Sequence, residues 1–442
     1  MRFTKFRWFR TVAGLVLYVA DIIADVWVAG QYFSNGNFVW GSLTLLFVLN
    51  GFVCSQVFSY AWFCDDLAAV TSTGRNCRLS LVVLHVLQLG IFTRYQQHLK
   101  MACRVLWTKE YDWYDEDELH LQLFGQAADL SMLRLFETFL ESAPQLVLQL
   151  YVVLGHDQRS IIQYISIVGS FFNIAWATVD YWRCFRRSMP NLSEMPPGAA
   201  LLVYLLYKLL MVCARVLTLS MLLLFSTYCL AVLLLLWLLG FLWTLVVQTD
   251  FCTSKGLEWF YRAVVAFILI FTFFNIKGQN TKVPMTVYYA MSALQNLLVP
   301  LMFFFLTPAA EKLDFFWQTV VVIAAGTIMG LLFLSLYYSF LHPRREARIA
   351  DVVDGPEARI ADVVDGPEAR IADVEDGPEA RIADVEDGPE ARIADVEDGP
   401  EARVADVVDG PEARIADVED GPEGRQGVSL GWTLRMRMFL QP

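Results

Sequence analysis

Charged residues are scarce in this sequence: they make up 18% of its 442 residues, whereas soluble domains average about 25%. Hydrophobic residues make up 56% of the chain, concentrated in residues 11–341 in long runs such as Leu217–Val247. About 20 consecutive apolar residues are enough for a helix to cross the hydrocarbon core of a bilayer. No soluble fold explains so many such runs in series, so a multi-spanning helical membrane protein is predicted.

Residue patterns that would indicate catalysis are also missing. The sequence has no nucleophile and base at a recognisable spacing, no Gly-rich nucleotide-binding loop, and no CxxC pair among its eight cysteines. We therefore expect no enzyme activity, no cofactor and no bound metal. Any transport would run downhill or be coupled to an ion gradient. The five histidines are expected in loops or at segment ends, as surface or interface residues: His85, His98, His120, His156 and His342.

The net charge of −12 hides two regions of opposite sign. Seven copies of an 11-residue unit between Glu346 and Pro422 carry −18, which leaves +6 for the rest of the chain. A mildly basic membrane region is expected when Lys and Arg collect in cytoplasmic loops. Four basic residues among the first ten predict a cytoplasmic N-terminus. The first apolar run lacks a cleavage context for a signal peptide, so we expect it to be retained as a span.

Ten apolar segments can be distinguished: about 11–33, 38–62, 79–95, 129–154, 160–182, 199–226, 228–248, 259–275, 284–307 and 315–341. If all ten crossed the membrane, a basic loop with Arg183, Arg186 and Arg187 would face outward, against the charge bias. Residues 79–95 and 259–275 are short and adjoin polar stretches. If both dip in and return, every basic loop is cytoplasmic. The prediction is an all-α membrane protein with eight transmembrane helices plus two re-entrant half-helices in two pseudo-symmetric halves, with both termini cytoplasmic.

Ionisable residues inside these segments are the informative ones, because a lone charge at the bilayer centre costs roughly 2.5–3.5 kcal/mol on insertion scales. Asp21 and Asp25 are four residues apart and share a helix face, as do Glu137 and Glu141. Two interpretations remain open. The charges are either interior salt bridges that fix helix register, or a polar track for head groups or ions. Further ionisable residues in or at the ends of segments are Arg94, Asp129, Arg134, Asp180, Arg183, Lys208 and Arg215.

The repeats predict a disordered acidic tail, because a Gly-Pro pair in each unit stops helix propagation and the few apolar residues cannot build a core. Such a segment is accessible to proteases. Each unit contains Asp-x-x-Asp-Gly, the pattern that executioner caspases recognise. The alternative is a repeat that expanded without a role. Cleavage is predicted after Asp354, Asp365, Asp376, Asp387, Asp398, Asp409 and Asp420.

The chain ends in a basic and apolar stretch, Leu430–Pro442, which differs from the repeats before it. Such a stretch can dock on a cytoplasmic face or on lipid head groups. Any of the seven cuts would release it. The predicted organisation is a polytopic membrane domain at 1–343, the tandem repeats at 344–422, and a plug segment at 423–442.

Three long stretches resemble the XK-related family of membrane proteins: residues 21–27, residues 129–145 and residues 270–282. Residues 435–440 also resemble the C-terminal end of family members. The repeat array before them looks like an insertion in this chain. The family fold has eight spanning and two re-entrant helices, which agrees with the topology predicted from the segments.

The resemblance implies an ATP-independent phospholipid scramblase of the plasma membrane. It would be latent until executioner caspases remove its tail, and would then expose phosphatidylserine on apoptotic cells as an engulfment signal. Membrane phospholipids and caspases are the implied partners, with a single-span glycoprotein for some relatives; no nucleic acid is expected. The alternatives are an ion-coupled solute transporter and a non-transporting partner subunit. Positions that match lipid-pathway residues of the family are Asp21, Asp25, Arg94, Glu137, Glu141, Asp180, Arg183 and Arg215.

Overall fold

The computed structural model describes residues 3–68, 75–108, 116–155, 161–188, 195–196, 198–275, 282–307 and 315–342. Within these ranges the regular secondary structure is helical and includes no strand. The chain divides into two units, and all described residues belong to one of them; the other is residues 346–422. The predicted repeats, their seven cleavage sites and the plug segment at 423–442 lie outside the described residues.

Twelve α-helices are assigned in the described ranges. Their bounds are α1 Lys5–Ser34, α2 Phe38–Ala68, α3 Arg75–Val86, α4 Gly90–Cys103, α5 Glu116–Leu140, α6 Ser142–Gly155, α7 Ile161–Ser188, α8 Ala199–Phe225, α9 Leu230–Val247, α10 Lys255–Phe271, α11 Lys282–Leu306 and α12 Phe316–Leu336. Single turns of π-helix follow α4 and α12, at Arg104–Thr108 and Tyr337–Leu341. A short 3-10 helix, Thr227–Cys229, leads into α9.

Six of the described helices are long and apolar enough to cross a membrane. They are α1, α2, α8, α9 with its leading turn, α11, and α12 with its closing π-turn. Their lengths of 21 to 30 residues exceed the roughly 20 residues that the hydrocarbon core requires. The predicted all-α, multi-pass membrane class is therefore confirmed.

The predicted segment 129–154 is divided in the structure. Helix α5 ends at Leu140 and α6 begins at Ser142, with Glu141 between them. Pro144 explains the break, because it has no N–H to donate to the carbonyl of Leu140 and its ring crowds that carbonyl. The hydropathy of this stretch is continuous, so the predicted apolar segment is one stretch of sequence that the structure divides into two helices. The break places Glu141 at the junction of two helices.

The predicted segment 79–95 is also divided, between α3 and α4. Gln88 adopts a left-handed conformation with φ of 61°, which ends α3 and turns the chain. Gly90 begins α4, and its N–H donates to Gln56 Oε1 over 3.1 Å. A Cβ at this position would lie 2.4 Å from both Gln56 Oε1 and His85 Cδ2, so the close approach requires glycine.

Two further expectations are corrected. Arg183, Arg186 and Arg187 were expected in a basic loop, but they lie in α7, which continues to Ser188, and all three are buried. Helix α7 therefore extends over the start of the expected loop. His85, His98 and His120 were expected at the surface or at an interface and are also buried in helices, because each packs among aromatic or apolar neighbours.

An aromatic core joins the N-terminal helices to α10. Phe58 of α2, Phe136 of α5 and Tyr261 of α10 are almost fully buried, and the Phe58 and Phe136 rings lie 4.9 Å apart. Helix α9 packs mainly on α10, where Trp237 Nε1 donates to the carbonyl of Ala263 over 3.0 Å. Helix α10 therefore lies between the aromatic core and α9.

Candidate functional site

Four carboxyl groups from α1, α5 and the α5–α6 junction come together in the interior. Asp21 and Asp25 lie on one face of α1, opposite Glu137 and Glu141, and we name these four side chains the carboxyl cluster. Asp25, Glu137 and Glu141 are buried and Asp21 is partly buried. The two i,i+4 pairs that the sequence pointed to therefore face each other.

Neutral polar side chains hold the cluster in place. Gln145 Nε2 donates to Asp25 Oδ1 over 2.7 Å, and Asn173 Nδ2 donates to Asp21 Oδ2 over 3.3 Å. The Asp25 and Glu141 carboxyl groups are hydrogen-bonded to each other. Such a bond requires a proton on one of the two, because ionised carboxylates only accept.

Arg134 is the cation that the described residues bring to the carboxyl cluster. Its Nη1 donates to the carbonyl of Gly14 over 2.8 Å, and its charge acts on Glu137 and Asp21. The Tyr95 side chain is hydrogen-bonded to Arg134, and the Tyr95 ring stacks on Tyr18 at 6.3 Å between centroids. In this part of the described structure, one guanidinium therefore lies beside four carboxyl groups.

Helix α2 closes over the cluster at Gly51. A Cβ at this position would lie 2.7 Å from Glu141 Oε2 and 2.8 Å from Glu141 Cβ. Contacts below 3.0 Å cannot be accommodated without movement of one of the partners, so glycine allows α2 to approach the carboxylate. The cluster is thus enclosed by α1, α2, α5, α6 and α7.

Arg94 lies apart from the carboxyl cluster, in a network that joins α2, α4 and α5. Its guanidinium is 3.3 Å from Asp129 Oδ2 and 3.7 Å from Asp66 Oδ2, with all three side chains at most 10% exposed. Its Nε donates to Ser59 Oγ over 3.2 Å, and its charge lies 4.1 Å from the centroid of the Phe63 ring. These contacts fit an ion pair that fixes the position of three helices.

His85 extends the Arg94 network to α3. Its Nδ1 lies 2.8 Å from the carbonyl of Leu81, which can only accept, so this nitrogen carries a hydrogen. Its Nε2 lies 3.1 Å from Ser59 Oγ. Ser59 thus connects Arg94 to the end of α3.

Asp180 and Arg183 form a third group, at the end of α7. Asp180 pairs with Arg10 of α1 over 3.4 Å. Arg183 is buried and lies within electrostatic range of Asp180, Arg10 and Arg187. The salt bridge of Asp180 therefore joins α7 to α1.

Arg215 and Lys208 of α8 bind the interior end of α10. Arg215 Nε donates to the carbonyl of Ile270 over 2.8 Å, and its Nη1 donates to Gln295 Oε1 over 2.5 Å. Lys208 Nζ donates to Thr272 Oγ1 and to the carbonyl of Phe273 over 3.1 and 3.3 Å. Among the described residues no carboxylate pairs with either cation.

The predicted site residues therefore fall into four groups. Asp21, Asp25, Glu137 and Glu141 come together, while Arg94, Asp180 with Arg183, and Arg215 each lie elsewhere. Sequence reasoning missed Gln145 and Asp66. Gln145 follows Glu141 by four residues, which is a usable signal, whereas Asp66 lies past the apolar segment of α2 and gave none. The described part of the chain contains no group of three or more His, Cys, Asp or Glu side chains that could hold a metal ion.

Membrane-length apolar helices that turn carboxyl and guanidinium groups inward define a multi-pass helical membrane protein with a charged interior. Comparison with known sequences specifies the family. The profile of the XK-related protein family matches residues 9–343, which is nearly all of the described region. The chain belongs to the XK-related family.

Curated relatives agree with this assignment. The chain is 46% identical to XK-related protein 9 of Tetraodon nigroviridis over 363 residues, which cover 80% of this chain and 95% of the relative. It is 36% identical to XK-related protein 8 of the same fish over 346 residues, covering 75% and 82% of the two chains. XK-related protein 8 of Pan troglodytes is 33% identical over 342 residues, covering 75% and 83%.

Proposed function

We propose that this chain is an ATP-independent phospholipid scramblase of the plasma membrane. It exposes phosphatidylserine once executioner caspases have removed its C-terminal tail. The observation that carries the proposal is the carboxyl cluster, a set of charged groups held in the interior of a membrane domain.

The composition of the cluster favours a transport role over a purely structural one. Buried ion pairs that only fix helix register bring opposite charges into contact, as the Arg94 network does with one guanidinium and two carboxylates. Among the described residues, the carboxyl cluster has four acids and the one cation Arg134. Intramembrane ionisable groups that outnumber their partners of opposite charge are typical of substrate and ion pathways. Zwitterionic head groups carry an ammonium that such a cluster attracts.

The absence of a nucleotide-binding motif fits downhill movement of lipids. The sequence has no Gly-rich nucleotide-binding loop. Scrambling needs none, because it only lets lipids move down their concentration gradient between the leaflets. A polar path through the hydrocarbon core lowers the cost of moving a charged head group.

The proposed topology has eight spans and two re-entrant elements. Besides the six apolar spans, α5 with α6 crosses as one interrupted span, and α7 crosses despite the charges at its end. The α3–α4 pair and α10 are the re-entrant elements. Each half then has the order of two spans, one re-entrant element and two spans. Basic loops and both termini are cytoplasmic, in line with the charge bias.

Activation by proteolysis is supported by the tail sequence. Seven Asp-x-x-Asp-Gly sites precede the basic and apolar residues 430–442. One cut at any site would separate this segment from the membrane domain. Executioner caspases and phospholipids are therefore the proposed partners.

The test is a fluorescent-lipid scrambling assay in liposomes, on purified protein before and after caspase treatment. We expect activity only after cleavage, and constitutive activity from a chain truncated after Asp354. Changing the seven scissile Asp residues to Ala should abolish activation. Asp21→Asn with Asp25→Asn in the truncated chain should lower the rate at least about tenfold, since it removes two carboxyl groups from the path. A truncated chain that folds but does not scramble overturns the proposal.

An ion-coupled transporter is the second candidate, because the acid excess of the carboxyl cluster also suits a proton or cation site. Gradient-dependent solute uptake by the cleaved protein, without lipid scrambling, would favour it. A partner subunit would instead show neither activity, and its deletion would lower the surface level of another protein.

A further inference from the structure

A groove between α1 and α4 opens on the lipid-facing side of the domain, outside the carboxyl cluster. It has a volume of about 370 Å³, within the range of roughly 300–1,000 Å³ that is usual for small-molecule sites. Leu15 of α1 forms one wall, and the other is formed by Phe92, Gln96, Leu99 and Lys100 of α4 with Arg104 of the π-turn that follows it.

The residues that α4 contributes lie on one helical stripe. Positions 92, 96, 99, 100 and 104 follow each other at three- and four-residue spacing, so they share the face opposite to buried Ile91, Arg94 and His98. At 1.5 Å per residue the stripe is about 18 Å long, close to the thickness of one leaflet of a ~30 Å hydrocarbon core. The groove thus matches the length of one lipid leaflet.

The stripe has an apolar end and a basic end. Phe92 and Leu99 are the apolar contributors, while exposed Lys100 and Arg104 stand one turn apart at the other end. A molecule that fits both ends has an anionic head and an apolar chain.

Aromatic residues mark the basic end as a membrane interface. Trp107 follows Arg104, lies 5.2 Å from the Trp8 ring, and receives Lys5 over its face at 5.8 Å. Tryptophans are enriched at the level of lipid head groups, where lysines interact with anionic lipids. The basic end therefore lies at head-group depth, beside the start of α1.

We propose that this groove is a binding site for an anionic glycerophospholipid of the leaflet on the N-terminal side. Its phosphate is held by Lys100 and Arg104, and one acyl chain lies along Leu99, Phe92 and Leu15. The site is separate from the carboxyl cluster, so it stands whether or not the chain scrambles lipids.

The test is binding of phosphatidylserine with a fluorescent acyl chain to the detergent-solubilised full chain, measured by anisotropy. We expect Lys100→Gln with Arg104→Gln to weaken phosphatidylserine binding by about 25-fold, because each cation near a head group contributes about fivefold. Phosphatidylcholine binding should be weaker in the parent chain and should fall less in this variant, because its choline cation offsets the phosphate charge. Leu99→Trp, which fills the groove and keeps both cations, should weaken both lipids.

Lys255→Gln is the matched control, since Lys255 is an exposed lysine that does not line the groove. Soluble glycerophosphoserine should not compete, because it lacks the chain. Unchanged phosphatidylserine affinity in the double variant, equal affinity for both lipids in the parent chain, or full competition by glycerophosphoserine would each overturn the proposal.

Discussion

The two halves of the domain accommodate buried charge in opposite ways. In the N-terminal half, carboxylates meet guanidinium groups of other helices, as in the pairs of Arg94 with Asp66 and Asp129. In the C-terminal half, Lys208 and Arg215 bind carbonyl, hydroxyl and amide oxygens at the end of α10. These ion pairs of the first half join different helices, whereas these two cations of the second half bind at a helix end; the ion pair of Arg262 with Glu258 in the second half lies within α10.

This difference has an energetic meaning. The last carbonyls of a helix have no intrahelical partner and carry partial negative charge, and leaving them unsatisfied in a membrane is costly. Arg215 satisfies the carbonyl of Ile270 in the last turn of α10, and Lys208 binds Thr272 and the carbonyl of Phe273 just past the helix end, without adding an anion. Arg215 is therefore explained by the helix end that it binds, whereas the carboxyl cluster has no comparable structural explanation. The pathway candidates of the two halves are not equivalent.

The largest expected effect is that of Arg94→Met. It leaves Asp66 and Asp129 buried without this guanidinium, and removal of one partner of a buried ion pair costs about 3–5 kcal/mol. We expect a strong loss of thermal stability in detergent. Size-exclusion chromatography measures this loss. Asp129→Asn in the same chain should restore part of it. A stable Arg94→Met protein would show that the N-terminal half does not depend on this pairing.

Glycine positions provide a matched comparison of packing. A Cβ at Gly51 meets the carboxylate and Cβ of Glu141 at 2.7 and 2.8 Å, whereas a Cβ at Gly330 meets Met211 Sδ and Cγ at 2.6 and 2.8 Å. Overpacking costs about 1–3 kcal/mol, and a flexible thioether can move aside more easily than a fixed carboxylate. Gly51→Ala should therefore lower the melting temperature more than Gly330→Ala does. The reverse order would mean that the carboxyl cluster is loosely packed.

The smallest effect is expected from Arg215→Met. It leaves the carbonyl of Ile270 and the amide of Gln295 without a donor, at about 1–3 kcal/mol, but it also removes a buried cation that has no counterion among the described residues. We expect a net loss of about 1 kcal/mol in unfolding experiments, with Arg215→Lys close to the parent chain. A loss as large as that of Arg94→Met would remove the distinction between the halves.

The sequence predicts the apolar helices well, because hydrocarbon length sets their extent, and it also predicts that Asp21 and Asp25 share one helix face and that Glu137 and Glu141 share another. That the two pairs face each other is seen only in the structure. The helix breaks at Gln88 and Glu141 were not predicted from the sequence. Hydropathy averages over a window, while a break depends on one backbone conformation or one proline. The division of the candidate site residues into four groups was not predicted either. The partner of Arg94 at Asp129 is 35 residues away, and a pairing at that separation depends on the tertiary arrangement of the helices.

The end of α12 has a consequence for proteolysis. Tyr337 is fully buried in the π-turn that closes the helix, with its ring 4.8 Å from Tyr204 of α8. The first predicted scissile residue, Asp354, lies seventeen residues further along the chain. A cut there would leave Tyr337 and its contact with Tyr204 in the remaining fragment, which would therefore keep this C-terminal anchor. If the tail is cleaved as proposed, the cut would be a maturation step: it would yield a shorter, durable protein instead of an intermediate on the way to degradation.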